Sequence, residues 1–220
     1  MSANPSVHLI TLTDPRSPVS EAYRTLCTNL AFVSLDRPLR TLLIASTGSE
    51  EGKSTNVANL AVTLAERDIR TIVVDCDLRH PVQHLIFGLP NERGLSSLFA
   101  DADPPEDLPL QEVGVKNLQV LPSGPLPDIP SHVLGSRRMP QVIARLSEQA
   151  DMVLFDVPPL MAVPDACMLA SHVDGVLLVV SVGRTKREQL RRAQQRLAQV
   201  QARLVGAIMN NVPQEPRLWG

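Results

Sequence analysis

The sequence has few aromatic residues, no paired cysteines and no long apolar run. Aromatic residues make up 3% of its 220 residues, with a single tyrosine and a single tryptophan. The cysteines, Cys27, Cys76 and Cys167, are scattered on apolar segments without C-x-x-C spacing, which favours reduced, mostly buried thiols over disulfides or metal ligands. No stretch approaches the roughly 18 consecutive apolar residues of a membrane-spanning helix. Without a signal-peptide pattern, the chain is expected to be cytoplasmic, or peripheral at the inner face of the plasma membrane through a partner.

The charge balance is close to neutral, because 21 Lys and Arg residues face 23 Asp and Glu residues. Such a balance gives no overall attraction to nucleic acid, so we expect no nucleic-acid partner. The length and the 44% hydrophobic content predict a single domain over residues 1–220. Within it we expect a flexible N-terminal segment at 1–18 and a short tail without tyrosines at 213–220.

Short apolar runs alternate with helical patterns along the chain. The runs predict strands at 41–46, 71–75, 118–121, 152–156, 175–181 and 204–209. Helices are predicted at 19–33, 56–67, 141–149, 164–171 and 186–201. Nearly every strand position is apolar, as is typical of a parallel sheet covered on both faces. We predict an α/β fold with a doubly wound, mostly parallel sheet, and surface loops around one strand at 101–130.

Residues 42–59, LLIASTGSEEGKSTNVAN, carry the strongest functional signal. A strand, a short loop and a helix in this order form a phosphate-binding loop, because backbone N–H groups and the helix dipole converge on an anion. Lys53 is then expected to contact the β- and γ-phosphates, and the Ser54 hydroxyl to bind Mg²⁺. Thr47 stands where the general motif has glycine, so the loop is a variant. The residues expected to bind nucleotide are Gly48, Ser49, Glu50, Glu51, Gly52, Lys53, Ser54 and Thr55. The alternative is a Gly-Lys-Ser that merely opens a surface helix.

Three acidic residues lie at the ends of predicted strands. Asp75 closes one strand with Asp77 two residues later, and Asp156 closes another just before a Pro-Pro pair. Each acid alone also suits a turn or a helix cap. The carboxyl ends of parallel strands share one edge of the sheet, where ligands bind. Carboxylate and hydroxyl oxygens are the ligands that Mg²⁺ accepts, so the acids and the loop together indicate a site for Mg·ATP.

Bacterial tyrosine kinases of capsule and exopolysaccharide synthesis carry Walker A, Walker A′ and Walker B motifs that three segments here resemble: STGSEEGKST, VVDCDLRHP and VLFDVPP. The resemblance continues through SEAYRTLCTNL, FGLPNERGLSSLF, LQVLPSGPLP, PSHVLGSRRM and GAIMNNV, and covers about residues 20–212. Such kinases are P-loop NTPases related to the ParA and MinD ATPases. Those ATPases carry a signature lysine where this chain has Gly48, and its absence favours the kinase branch.

The catalytic residues that this resemblance implies are Lys53, Asp75, Asp77 and Asp156. Lys53 would contact the phosphates, and the metal ligands would be Ser54, Asp77 and Asp156. Asp75 would act as general base toward a tyrosine hydroxyl. The spacing alone does not decide which of Asp75 and Asp77 is the base and which is a metal ligand.

Two further expectations concern Asn210 and Lys53. Asn210 follows the last apolar run and corresponds to a position that contacts adenine in the related ATPases; its alternative role is that of a turn residue. Lys53 is expected to be exposed in the site rather than part of the core. Replacing Lys53 by Met should then remove nucleotide-dependent activity without unfolding the protein.

The sequence departs from the kinase pattern in two places. The family has a tyrosine-rich C-terminal tail, whereas the only tyrosine here is Tyr23. The ring-forming pattern E-x-x-R-x-x-R appears as Glu21, Arg24 and Cys27, so one arginine is missing. A homo-oligomer through the Glu21/Arg24 helix is one interpretation. A surface pair worth roughly 0.2 to 0.5 kcal/mol is the other.

The hypothesis that unites these features is an Mg·ATP-dependent protein-tyrosine kinase that regulates exopolysaccharide or capsule synthesis. Such a kinase is expected to need a membrane-spanning activator, of the polysaccharide co-polymerase kind. One alternative is a ParA/MinD-like switch that hydrolyses ATP without phosphorylating protein. Another is a degenerate ATP-binding partner of a polysaccharide export complex.

Overall fold

The computed structural model describes residues 9–100 and 107–213. Its helices are α1 (Ile10–Thr13), α2 (Pro18–Asp36), α3 (Lys53–Ala65), α4 (Gln83–Phe87), α5 (Pro130–Leu134), α6 (Met139–Gln149), α7 (Asp165–Ala170) and α8 (Arg187–Gln199), with a 3₁₀ helix at Leu95–Phe99. Its strands are β1 (Thr41–Ser46), β2 (Thr71–Asp75), β3 (Gln111–Glu112), β4 (Leu118–Leu121), β5 (Met152–Asp156), β6 (Gly175–Ser181) and β7 (Leu204–Asn210). None of the helices in these ranges has the length and apolar character needed to cross a membrane.

Within the described ranges the strands form one sheet in the order β3-β4-β2-β5-β1-β6-β7. Neighbours pair in parallel, except β3 with β4. The predicted α/β fold with a mostly parallel sheet is therefore confirmed. Parallel strands direct their carboxyl ends to one edge, so the segments that follow β1, β2 and β5 meet there. This edge carries the candidate site.

Helices cover both faces of the sheet. Along β1, Leu42 and Ile44 pack in the same apolar cluster as α2 and α3, whereas Leu43 and Ala45 pack in the cluster that contains α6, α7 and α8. This double burial explains why the central strands are apolar at nearly every position. The edge strand β7 differs, since Met209 is 62% exposed.

The predicted strands lie where the sequence places them, and β7 extends one residue further, to Asn210. The sequence analysis missed α1, α4, α5, the 3₁₀ helix and β3, which have two to five residues each and are too short to show a period. The stretch 101–130 was expected to hold one strand, but it holds β3 and β4. Residues 101–106 lie outside the described ranges.

The N-terminal segment differs from the expectation of a flexible stretch at 1–18. Residues 1–8 lie outside the described ranges, but Leu9 is buried and α1 follows it directly. Thr11 donates from its backbone N and its Oγ1 to Asn59 Oδ1 in α3, at 3.2 and 2.9 Å. One apolar anchor and one side-chain acceptor therefore fix this segment, and composition does not reveal them. The predicted tail lies outside the described residues from 214 onward.

Candidate active site

The loop between β1 and α3 borders a cavity of about 440 Å³. Gly52 is the N-cap of α3 in the left-handed region, with φ of 83°. The backbone conformation therefore favours glycine, and a Cβ at this position would also displace the side-chain amide of Asn210. The cavity is lined by Ser46, Gly48, Ser49, Glu50, Glu51, Gly52, Lys53, Ser54, Thr55, Asp77, His80, Val82 and Pro159. Every loop residue that we expect to bind nucleotide is among them.

Lys53 is buried, with 7% of its surface exposed. Its Nζ forms an ion pair with Asp156 Oδ1, donates to Ser54 Oγ at 3.1 Å and lies 3.8 Å from Asp77 Oδ2. The expectation of an exposed lysine is therefore wrong. Two carboxylates at the strand ends draw the ammonium inward, and their partial desolvation strengthens the attraction.

Asp75 is fully buried, and its carboxylate accepts hydrogen bonds from the backbone around it. Its Oδ2 accepts from the N–H groups of Val82 and Gln83 at 3.0 and 2.9 Å, and its Oδ1 accepts from Asp77 N–H at 3.2 Å. Burial, followed by the charge of Asp156, raises the pKa of Asp75 to about 8. Asp75 does not line the cavity. In this structure the carboxyl group of Asp75 binds the backbone of the segment after β2, and its role as general base stays a prediction.

Asp77 is the acidic residue from the strand ends that does line the cavity. Its Oδ1 accepts from the backbone N–H of His80 at 3.1 Å, and its Oδ2 faces Lys53. Burial raises the pKa of Asp77. His80 lines the same cavity, although its spacing in the sequence shows no ligand pattern. Asp77 is therefore the better placed of the two acids to meet a ligand.

Asp156 is fully buried and lies directly opposite Asp75 in the sheet register. Lys53 binds its Oδ1, and Gln83 Nε2 donates to its Oδ2 at 2.7 Å. The sequence analysis did not identify Gln83 as a site residue. Its position eight residues after the end of β2 is the only signal that the sequence offers. Both oxygens of this acid have a partner.

Glu51 turns its carboxylate onto the loop itself. Its Oε2 accepts from the N–H groups of Thr47 and Gly48 at 2.8 and 3.0 Å, and its Oε1 accepts from the hydroxyl groups of Thr47 and Thr185. The exposed Glu50 next to it pairs with Arg184 at 2.7 Å. The segment after β6 therefore holds the phosphate loop at two adjacent points. Sequence patterns did not identify either partner.

Asn210 ends β7 and contacts the phosphate loop. Its Nδ2 donates to the backbone O of Glu51 at 2.8 Å. The predicted contact between Asn210 and adenine stays a prediction. A similar bond joins Asn56 Nδ2 to the backbone O of Gly52 at 2.8 Å. The Tyr23 hydroxyl donates to Asn56 Oδ1 at 3.0 Å, which connects α2 to the loop. The sole tyrosine is thus buried beside the site.

The donor atoms at this edge fit a hard cation that is shared with a nucleotide. The described part of the chain has no group of three His, Cys, Asp or Glu side chains that could hold a metal alone. Yet Ser54 Oγ, Asp77 and Asp156 already converge on the cationic Nζ of Lys53. Mg²⁺ is usually bound by one or two carboxylates together with substrate phosphates, so this oxygen set fits Mg²⁺ once phosphates are present.

Comparisons with known proteins agree with this geometry. The family described as the CobQ/CobB/MinD/ParA nucleotide binding domain matches residues 42–217. Tyrosine-protein kinase YwqD of Bacillus subtilis is 41% identical over 203 residues, covering 92% of this chain and 85% of that protein. Tyrosine-protein kinase CpsD of Streptococcus agalactiae is 30% identical over 201 residues, covering 91% of this chain and 86% of that protein.

Solved structures show the same relationship. The chimerical protein CapA2B2 superposes with a TM-score of 0.88 at 33% identity, covering 94% of this chain and 90% of that chain. The kinase domain of Escherichia coli tyrosine kinase ETK superposes with a TM-score of 0.87 at 28% identity, covering 96% of this chain and 84% of that chain. The septum site-determining protein MinD of Pyrococcus horikoshii, with a TM-score of 0.66 at 23% identity over 81% of this chain and 72% of that chain, shares the fold.

Proposed function

The chain belongs to the bacterial tyrosine kinases, within the CobQ/CobB/MinD/ParA nucleotide-binding family, and from this membership we propose that it transfers the γ-phosphate of Mg·ATP to tyrosine. The observation that supports the proposal best is the cavity that the phosphate loop and Asp77 line together. We take residues 1–220 as one kinase domain. Its role would be the regulation of exopolysaccharide or capsule synthesis.

The residues of the cavity suit phosphoryl transfer, which requires positioning and charge neutralisation more than covalent chemistry. The backbone N–H groups of the loop and the ammonium group of Lys53 would bind the phosphates. Ser54, Asp77 and Asp156 would hold Mg²⁺, which when bound neutralises charge on the phosphates. As the resemblance to bacterial tyrosine kinases implies, Asp75 would act as general base toward the incoming hydroxyl group, and Asp77, which faces the cavity, is the alternative.

The acceptor tyrosine would come from another polypeptide. Tyr23 is the only tyrosine in the sequence; it is buried, and burial raises its pKa to about 12. Its hydroxyl group is engaged in the hydrogen bond to Asn56 Oδ1 within the folded protein, so we do not expect it to serve as acceptor. We propose a membrane-spanning activator of the polysaccharide co-polymerase kind as partner, which would bring the enzyme to the inner face of the membrane.

Self-association is a second part of the proposal. Arg24 on α2 pairs with Glu21 at 2.7 Å and also donates to the backbone O of Pro15. Both side chains are partly exposed, so a second copy would have to exchange these contacts for its own. Cys27 is buried beneath them and offers no charge to such an interface.

One observation favours the alternative of an ATPase switch. With Tyr23 buried, the sequence contains no accessible acceptor for autophosphorylation. Hydrolysis of ATP to cycle between assembly states needs no such acceptor. Phosphate release without transfer to tyrosine would therefore mark the switch rather than the kinase.

The test supplies γ-labelled ATP with Mg²⁺ and a tyrosine-containing polypeptide, with and without the cytosolic segment of a candidate activator. Protein-bound phosphotyrosine and free phosphate are measured together. We expect label on tyrosine, and loss of that label in Ser54→Ala, which removes only the hydroxyl group expected at the metal. Free phosphate alone would support the ATPase switch, and nucleotide binding without either product would support the degenerate partner.

A further inference from the structure

Gln83, the first residue of α4, contacts three parts of the site at once. Its Nε2 donates to Asp156 Oδ2 at 2.7 Å and to the backbone O of Ser54 at 3.1 Å. Its backbone N–H donates to Asp75 Oδ2 at 2.9 Å. The side chain is fully buried. One residue therefore links the start of the phosphate-loop helix to the acids that end β2 and β5.

The carbonyl oxygen of the Gln83 side-chain amide has no hydrogen-bond partner among the described residues. Gln83 Oε1 is buried, and no hydrogen bond from the described residues reaches it. Buried side-chain acceptors nearly always have a partner, so an exception beside a reactive cluster points to a missing ligand or water. Mg²⁺ in nucleotide sites usually keeps several of its waters, which are donors.

The contacts of Asp156 show why a second donor matters there. Lys53 binds its Oδ1, but Lys53 is also the residue expected to contact the phosphates of ATP. If its ammonium group moves to the phosphates, Gln83 remains as the side-chain donor that the structure shows on Asp156. Partners of this kind orient metal ligands, and their loss typically lowers metal affinity by 10- to 100-fold.

We infer that Gln83 is a positioning residue of the metal–phosphate site: Nε2 holds Asp156 in the orientation that receives the cation, and Oε1 is left as an acceptor for water that accompanies the cation. The inference rests on the proposed function, because it assumes that Asp156 serves a nucleotide-bound metal. It adds a residue that none of the Walker segments contains.

The experiment separates metal binding from nucleotide binding in Gln83→Leu. Mn²⁺, detected by electron paramagnetic resonance, is titrated into protein with saturating ADP, and a fluorescent ADP analogue is titrated with EDTA present. We expect the half-saturating Mn²⁺ concentration to rise about tenfold, within the range for such partners. Affinity for the analogue in EDTA should stay within about twofold, since Gln83 would act through the metal ligand. The matched control, Gln194→Leu on the exposed face of α8, should match the wild type in both titrations.

An unchanged Mn²⁺ requirement in a folded Gln83→Leu protein would overturn the inference. Equal losses in both titrations would overturn it too, since they would indicate a general structural role. Gln83→Met, which fills a similar volume without branching, gives the same readouts if the Leu variant does not fold. Failure of the wild type to bind Mn²⁺ with ADP would instead reject the proposed function, and the inference with it.

Discussion

Lys53 is the cation of a buried cluster, and this changes what its replacement should do. In Lys53→Met, the fully buried Asp156 loses the partner of its Oδ1. Breaking one side of a buried ion pair typically costs about 3–5 kcal/mol. We expect a loss of this size in the free energy of urea unfolding, together with loss of activity.

The double variant Lys53→Met/Asp156→Asn checks the cause. Removing the charge of Asp156 should restore part of the stability, because no uncompensated carboxylate would remain. If the two substitutions destabilise the protein additively, the ion pair is not the reason for the loss. Activity alone cannot distinguish these cases, since both variants lack the lysine.

Tyr23 provides a direct measurement of its own burial, because no other tyrosine contributes to its absorbance. Burial raises its pKa to about 12, above the value of 10 for an exposed phenol. The native protein should show almost no phenolate absorbance at 295 nm at pH 10, whereas the protein in guanidinium should be about half ionised there.

The direction of the pH effect follows from this raised pKa. The folded state retains a proton that the unfolded chain releases, so the contribution of Tyr23 to stability is complete below pH 10 and is lost as the pH rises toward about 12. Tyr23→Phe should abolish the signal at 295 nm and leave transfer to an added tyrosine substrate intact. Half-ionisation of the native protein near pH 10 would show that the phenol is accessible.

At the scale of the element, two adjacent glutamates hold the phosphate loop with different strength. Glu51 is buried and accepts from two backbone N–H groups and two hydroxyl groups, whereas Glu50 and Arg184 form an exposed pair. Glu51→Ala leaves those donors without an acceptor and should cost about 2–3 kcal/mol of unfolding free energy. Glu50→Ala is the matched control and should cost less than about 1 kcal/mol.

The same pair of variants should differ in nucleotide affinity. Without Glu51, the segment after β6 no longer holds the loop through Thr185. We expect the dissociation constant for ADP, measured by calorimetry, to rise in Glu51→Ala and to change little in Glu50→Ala. Equal effects of the two variants would mean that burial of the carboxylate is unimportant.

The sequence predicted those strands and helices that are long enough to show an apolar run or a helical period of their own. The apolar runs located β1, β2 and β5, and their ends located the acids, because parallel strands end at a common edge. Short helices such as α4 have no period of their own. Gln83 and Thr185 were missed because contacts between distant segments leave no local pattern.

The roles of individual site residues were harder to predict than their neighbourhood. Spacing placed Asp75 and Asp77 together but did not show that one would face the cavity and the other the backbone. That distinction arises because the chain after β2 turns back over Asp75, which alternating strand geometry does not reveal. Lys53 was misjudged for a related reason, since its burial depends on acids from two other strands.

For the whole molecule, ligand binding should be visible as added stability. A ligand at about 100 times its dissociation constant raises the unfolding free energy by about 2.7 kcal/mol. We expect ADP with Mg²⁺ to raise the thermal midpoint and Mg²⁺ alone to leave it unchanged. The described residues have no group of acidic or metal-binding side chains that could hold the cation without phosphates.

Ser54→Ala tests whether the stabilisation includes the metal. The variant should retain the shift caused by ADP in EDTA and lose most of the additional shift caused by Mg²⁺. A shift with Mg²⁺ alone, in either protein, would contradict the arrangement of ligands described above.

The ion pair between Lys53 and Asp156 also affects how the chain folds. Because Lys53 neutralises Asp156 from within, a newly synthesised chain can close its core before it meets any cofactor. Many small metal sites fold only with their ion, whereas the metal site proposed here would fold with Lys53 as its counter-ion. The supply of ATP and magnesium in the cell would then control when the protein works, and not whether it folds.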